Sequence, residues 1–155
     1  MELIRNINKG SYGLEGEVFF ALFQKYIEVT ADEPADVEYV AKCAAYLNAL
    51  NSTIVDELCL ASIRYCNDFL SAVGEEERIF AEPRAVLELI YPSVLLVPAP
   101  AISGEAVVHL ELNCAWEEEH GMEWIVRGDE VKCVGAFHGE DAWGDFSSKE
   151  VWNYA

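Results

Sequence analysis

The residues best suited to chemistry stand together in one run, residues 114–124, CAWEEEHGMEW. Three glutamates, Glu117 to Glu119, precede His120 and Gly121, and a tryptophan stands near each end. Carboxylates and an imidazole can hold a cation, exchange a proton or present charge to another protein. A glycine can take the positive φ angle that some turns require. The run is therefore compatible with a metal site, an acid–base site, a structural turn or a partner surface.

A metal site in this run would need ligands from elsewhere in the chain. Glu119 and His120 are neighbours and would point to opposite faces of a strand, whereas Glu118 and His120 would share a face. A zinc ion would still need two more ligands, which His109, His138 or a cysteine could supply. The run has neither HExxH nor CxxC spacing, so the sequence assigns no particular metal.

An acid–base site would need a titratable pair in a pocket. Glu111 or Glu123 could pair with His120, and His109 lies on the strand before the run. An ion-binding protein or a hydrolytic enzyme centred on His120, Glu118 and His109 is therefore the alternative function. No nucleophile elbow and no phosphate-binding glycine loop is present in the sequence, and no cofactor is expected.

A structural role would use the same residues differently. Trp116 and Trp124 would flank a turn between two strands, with their rings on the sheet and the glutamates in water. Gly121 would permit the turn. His120 would orient it through a hydrogen bond to Glu111 across the strands. This interpretation explains the run without a ligand.

A partner surface is the function that the sequence favours. Acidic residues alternate with tryptophan in the run and again in residues 139–146, GEDAWGDF. Tryptophan is enriched at interface hot spots, and complementary charge raises association rates. We predict non-catalytic binding to a basic protein; neutralisation of that protein, as in an immunity-like domain, is one form of such binding. Residues 117–119 would supply charge, and Trp116 and Trp143 would supply contact area.

The acidic composition agrees with a basic partner, and equally with weak cation binding or with a surface that only keeps the protein soluble. The chain has 28 acidic and 10 basic residues and a net charge of −18. Such a surface repels phosphate backbones, so nucleic-acid binding is not expected. No apolar run reaches the ~18 residues of a membrane span, and the amino terminus lacks the apolar core of a signal peptide. We therefore expect no membrane association and a cytoplasmic location. Five cysteines without CxxC spacing favour reduced thiols.

The first half of the chain predicts two strands followed by two helices. Residues 15–31 are rich in β-formers and indicate a strand pair. Pro34 suits the first turn of a helix whose apolar stripe extends to Leu47. Asn51 can cap a second helix, and Gly74 is a suitable stop for it.

The second half predicts mainly strands. Residues 94–97 form a compact apolar strand. Residues 105–114 form the clearest strand, in which Val108 belongs to the buried face and His109 to the wetter face. A Gly128-Asp129 turn then joins a hairpin.

Together these elements predict a single α+β domain over residues 1–155. An antiparallel sheet is expected to be covered on one face by the helical pair, with a core at about residues 15–137 and a C-terminal tail at 138–155. An exposed edge strand at residues 94–97 or 105–113 could pair with a second copy, so a homodimer is compatible with the sequence.

A C-x-W-x-x-E-H-G pattern followed by a hairpin resembles an uncharacterised bacterial family of domains of unknown function. Its members carry a similar W-[DE]-x-E-H-G motif. The matching positions are Cys114, Trp116, Glu119, His120 and Gly121. The resemblance spans about residues 15–137 and implies no established activity. It also implies similarity to small acidic proteins found beside bacterial toxin genes, where an immunity role is suspected.

Overall fold

The computed structural model describes residues 1–155, which form seven strands and two α-helices. The strands are β1 (Ile4–Lys9), β2 (Leu14–Phe20), β3 (Lys25–Ala31), β4 (Ile90–Val97), β5 (Val107–Cys114), β6 (Glu117–Arg127) and β7 (Glu130–Ala136). The helices are α1 (Val37–Asn48) and α2 (Ser52–Ala72), and short 3₁₀ helices occupy Ala21–Phe23 and Pro83–Leu89. No helix has both the length and the apolar character that crossing a bilayer requires.

All seven strands belong to one sheet, and their spatial order follows the chain from β1 to β7. Every neighbouring pair is antiparallel except β3 and β4, which run parallel. Parallel neighbours need a long crossover connection, and here that connection contains α1 and α2. The predicted α+β class is confirmed. The expectation of a wholly antiparallel sheet is wrong at this one pair, because the chain re-enters the sheet beside β3 in the same direction.

Short polar side chains define where both helices begin. Asp36 accepts a hydrogen bond from the Tyr39 N–H, and Asn51 accepts one from the Ile54 N–H, each at 2.9 Å. Such caps satisfy N–H groups that have no partner within the helix. The predicted cap at Asn51 is confirmed. The prediction that Pro34 lies in the first turn of the helix is wrong, because the N-cap of α1 is Asp36 and the helix begins at Val37.

The two faces of the sheet carry different cores. The main core contains 32 buried residues drawn from both helices and from one face of the strands, including Val108, Leu110 and Trp124. A smaller cluster of 4 buried residues lies on the opposite face: Val107, Ile125, Cys133 and Ala142. Tail residues Trp143, Phe146 and Trp152 pack against this smaller cluster. Because side chains alternate along a strand, His109 and Glu111 lie on the same face as the smaller cluster.

The C-terminal tail pairs with the outer edge of the sheet. The Tyr154 N–H donates to the Val134 carbonyl at 2.8 Å, and the Val134 N–H donates to Asn153 Oδ1 at 3.1 Å. These bonds occupy backbone groups of β7 that an open edge would leave unpaired. The tail is therefore an integral part of the fold.

Strand β1 is missing from the sequence-based prediction. Its pairing with β2 is interrupted between Arg5 and Asn8, and Asn6 has a φ angle of 56°. A bulged strand lacks the regular alternation that identifies strands in a sequence.

β1 forms one edge of the sheet, whereas β4 and β5 have neighbours on both sides. The expectation that residues 94–97 or 105–113 offer a free edge for a dimer is therefore wrong.

Candidate functional site

The run at residues 114–124 turns the chain earlier than expected. The turn is formed by Ala115 and Trp116, and the glutamates already belong to β6. Cys114 pairs with Glu117 and Leu112 pairs with Met122, so four residues of β6 stand opposite one residue of β5. Residues 118–121 therefore form a large bulge in β6.

The Glu117 carboxylate organises this bulge. It accepts hydrogen bonds from the Glu119 N–H at 2.8 Å and from the His120 N–H at 3.2 Å, and it lies 3.0 Å from His120 Nδ1. The expected bond between His120 and Glu111 is therefore wrong, because the partner of His120 lies three residues away on its own strand. Glu118 and Glu119 are exposed, and the His120 side chain is 72% exposed. All three side chains are therefore open to solvent.

Gly121 ends the bulge at a position that excludes a side chain. Its φ angle is 74°, and an added Cβ would lie 2.8 Å from the Leu112 carbonyl oxygen. We expect Gly121→Ala to lower the free energy of unfolding by about 1–3 kcal/mol, measured by urea denaturation. Gly104→Ala is the control, because Gly104 has a similar φ of 67° but no atom within 4 Å of the added Cβ. Equal losses in the two variants would contradict a role for the close approach to Leu112.

The tryptophans expected at the surface are largely built into the fold. Trp116 is 8% exposed and packs edge-on against Tyr65, with ring centroids 5.7 Å apart. The expectation that Trp116 supplies contact area is therefore wrong. Trp143 is half-buried, and its Nε1–H donates to the Ala99 carbonyl at 2.9 Å. Its position is thus set by the tail packing against the sheet.

A buried histidine–glutamate pair lies on the face that carries the smaller cluster. His109 Nε2 is 2.7 Å from Glu123 Oε2, and the two residues are 6% and 0% exposed. The His138 N–H donates to the other carboxylate oxygen at 3.1 Å. The expectation that His109 lies on a wet face is wrong, because the tail covers this part of β5. Glu123 is the only charged residue in the apolar stretch GMEWIV, residues 121–126. A single carboxylate in an apolar strand is the sequence feature that could have predicted this buried ionic contact.

The buried pair also affects a neighbouring thiol. Burial first, and then the Glu123 and Glu140 carboxylates, raise the pKa of the Cys133 thiol to about 12. A thiol with such a pKa is almost wholly protonated at neutral pH, so Cys133 is not a nucleophile here.

Strand register aligns four glutamates across this same face, in what we call the carboxylate row: Glu17, Glu28, Glu111 and Glu123. Glu17 lies directly opposite Glu28, and Glu111 lies directly opposite Glu123. Val94 stands between the two pairs. The only arginine or lysine bound to the row is Arg5, whose Nε is 3.2 Å from Glu17. Like charges directly opposite each other destabilise a sheet. Arg5 offsets this at Glu17 and His109 is paired with Glu123, whereas Glu28 and Glu111 have no ionic partner.

A pocket of about 310 Å³ lies beside the row, under the loop that follows β7. Its polar lining consists of Thr30, Asp32, His109, Glu140 and Asp141. No lysine or arginine lines it. The pocket therefore presents hydrogen-bond acceptors and negative charge.

The structure separates the residues proposed for a metal or hydrolytic site. His109 is paired with Ile125, and His120 lies five residues before Ile125 on β6. His120 lies in the bulge beyond Met122, whose partner Leu112 is three residues, or ~10 Å, from His109 along β5. No group of three or more histidine, cysteine, aspartate or glutamate side chains is arranged to hold a metal ion. His109 and His120 instead belong to two separate histidine–glutamate pairs.

Comparison with known proteins identifies one family. A profile described as Domain of unknown function (DUF6985) matches residues 3–141. The predicted membership in a family of unknown function is confirmed, and the match begins before β1 and ends within the tail. No curated protein and no solved structure matches the chain significantly.

Proposed function

Because the chain belongs to the domain-of-unknown-function family DUF6985, we propose a function from its geometry: non-catalytic binding of a basic protein through the carboxylate row. The observation that carries the proposal is the alignment of Glu17, Glu28, Glu111 and Glu123 across one face of the sheet. Neutralisation of a basic toxin by an immunity protein is a process of this kind.

The shape of the face supports a bound partner. A concave area of about 450 Å³ lies over Glu15, Glu17, Glu28 and Thr30, and it adjoins the row. Glu15 and Glu28 are exposed, whereas Glu17 and Glu111 are half-buried. In the proposal the helical pair covers the opposite face of the sheet. The C-terminal tail covers this face only around the smaller cluster and leaves Glu28 exposed. Glu28 and Glu111, which have no ionic partner in the protein, then keep their charge uncompensated until a cationic surface approaches.

The net charge supports rapid and selective association. A charge of −18 attracts basic proteins over a distance and repels both nucleic acid and a second copy of the chain. Glu118 and Glu119, exposed on the bulge, would add rim charge that raises the association rate more than the affinity. A homodimer formed through the carboxylate row is therefore disfavoured.

The proposal is tested with a synthetic basic peptide and two double variants of equal charge. Glu28→Gln/Glu111→Gln neutralises the two glutamates of the row that have no ionic partner, and Glu75→Gln/Glu76→Gln neutralises two exposed glutamates in the loop after α2. Each lost contact is worth about 1 kcal/mol near water, so the first variant is expected to bind about 30-fold more weakly by isothermal titration calorimetry. The second variant should bind nearly as the wild type does.

Two results would contradict the proposal. If both double variants weaken binding equally, affinity follows total charge and the row is not the binding surface. If the wild type does not bind the peptide at low salt, the domain does not recognise basic protein segments.

A further inference from the structure

The pocket beside the carboxylate row contains one nearly buried side chain with an unused ring nitrogen. His109 is more than nine-tenths buried, and its Nε2 is engaged by Glu123 at 2.7 Å. Its Nδ1 has no hydrogen-bond partner in the protein. The only polar side-chain atom that is both fully buried and without a partner is Trp116 Nε1, so His109 Nδ1 is accessible to solvent. Because His109 lines the pocket, this nitrogen is available to a ligand there.

The Glu123 carboxylate determines which proton His109 carries. One carboxylate oxygen accepts from the His138 N–H and the other lies against His109 Nε2. With Nε2–H donating to Glu123, the neutral imidazole presents the Nδ1 lone pair to the pocket. A ligand that bonds to this lone pair must itself be a donor.

The other polar side chains of the lining are three carboxylates and the Thr30 hydroxyl. Asp32 and Asp141 form no ion pair, and Glu140 has only His138, at 4.0 Å. These carboxylates are too dispersed to share a metal ion with His109. A volume of about 310 Å³ lies at the lower end of the range for small-molecule sites, which suits one side chain or a molecule of similar size.

We propose that this pocket binds a single cationic donor group, a guanidinium or a primary ammonium, with His109 Nδ1 accepting one of its hydrogen bonds and Asp32 providing charge. The inference rests on the proposed function and names the group by which the basic partner would be anchored: one arginine or lysine side chain. The carboxylate row would then provide the surrounding electrostatic attraction.

The test uses three small probes with isotopically labelled full-length protein. N-acetyl-arginine methylamide, N-acetyl-lysine methylamide and the uncharged citrulline analogue are titrated while backbone amide and histidine ¹⁵N signals are recorded. We expect a cationic probe to shift the amide signals of residues 30–32 and 139–142 and to leave His109 Nδ1 unprotonated. Binding of the arginine probe alone identifies a guanidinium site, and binding of the lysine probe alone identifies an ammonium site. Binding of both supports the shared cationic chemistry.

Matched variants connect the signals to the pocket. Asp32 is exposed and makes no side-chain hydrogen bond, so Asp32→Asn should fold normally and weaken probe binding about fivefold. Glu76→Gln removes the same charge elsewhere and should leave the probe affinity unchanged. His109→Gln should also weaken binding, and circular dichroism establishes whether that variant remains folded. Because Asp32→Asn does not disturb the buried pair, the proposal can be judged without His109→Gln.

Different results would contradict the cation site in the pocket and the proposed protein-binding function. If neither cationic probe shifts the pocket signals, or if the citrulline analogue binds equally well, the pocket is not a cation site. If binding of the basic peptide still depends on the carboxylate row, the proposed function is supported even though the pocket is not a cation site. If the probes bind while the peptide does not, the pocket remains a site for small organic cations and the protein-binding function is lost. Unchanged probe affinity in Asp32→Asn would also overturn the inference.

Discussion

His109→Ala is expected to lower the free energy of unfolding by about 3–5 kcal/mol, because it leaves a fully buried carboxylate without its partner. Glu123 is 0% exposed, and after the substitution only the His138 N–H would remain bonded to it. The isolated charge loses hydration and gains nothing in return. Urea denaturation measures the loss directly, and the melting temperature of a 155-residue domain should fall by about 6–20 °C.

The exposed histidine–glutamate pair supplies the control for that result. His120 is also bonded to a glutamate, but its side chain is 72% exposed, so His120→Ala should cost no more than about 1 kcal/mol. A double variant, His109→Leu/Glu123→Met, replaces the buried pair by apolar side chains and should recover most of the stability. If His109→Ala and His120→Ala lose the same stability, the buried pair has no special role in folding. If the double variant is less stable than His109→Ala, the charge of Glu123 is satisfied by other groups.

Trp124→Ala is expected to cause a loss of similar size, about 3–5 kcal/mol, through the cavity it leaves in the main core. Trp124 is 1% exposed and belongs to the cluster that strand and helix residues share. Its Nε1–H donates to Ser62 Oγ at 3.0 Å, and that hydroxyl donates to the Leu58 carbonyl at 2.7 Å. The indole thus joins β6 to α2 by packing and by a buried hydrogen bond. The loss is measured by urea denaturation followed by circular dichroism.

A comparison of the two buried tryptophans separates packing from hydrogen bonding. Trp116 Nε1 is buried without a hydrogen-bond partner, whereas Trp124 Nε1 has one. Trp124→Phe should therefore lower the free energy of unfolding by about 1 kcal/mol more than Trp116→Phe does, because only Trp124→Phe removes a hydrogen bond of the folded state. Equal losses would indicate that the bond to Ser62 contributes no net stability.

The local features of this fold were predictable where short-range chemistry decides them. The Asn51 cap depends on a side chain and an N–H three residues away, and the Gly128-Asp129 turn depends on two adjacent residues with φ angles of 59° and 58°. In β3, buried Ile27 and Val29 alternate with exposed Glu28, as the two-residue period of a strand requires. In each case the determining contacts lie within a few residues.

The candidate site was less predictable because its members come from distant strands. Glu17 and Glu123 are separated by more than a hundred residues, and only the register of the intervening strands places them in one row. The bulge at residues 118–121 also shifts the alternation of β6, so the partner of His120 could not be read from spacing. The sequence placed His109 and His120 in one candidate site, whereas only His109 lines the pocket.

The sequence by itself determined the α+β class, the two helices, the hairpin turn and the strongly acidic character, because composition, periodicity and capping act locally. Only the tertiary structure decided which carboxylates are adjacent, which histidine is buried and which tryptophans are unavailable to a partner. Those outcomes depend on strand register, on the parallel pairing of β3 with β4 and on the tail covering one face of the sheet. Each is a contact between segments far apart in the chain, and neither residue type nor spacing specifies such contacts.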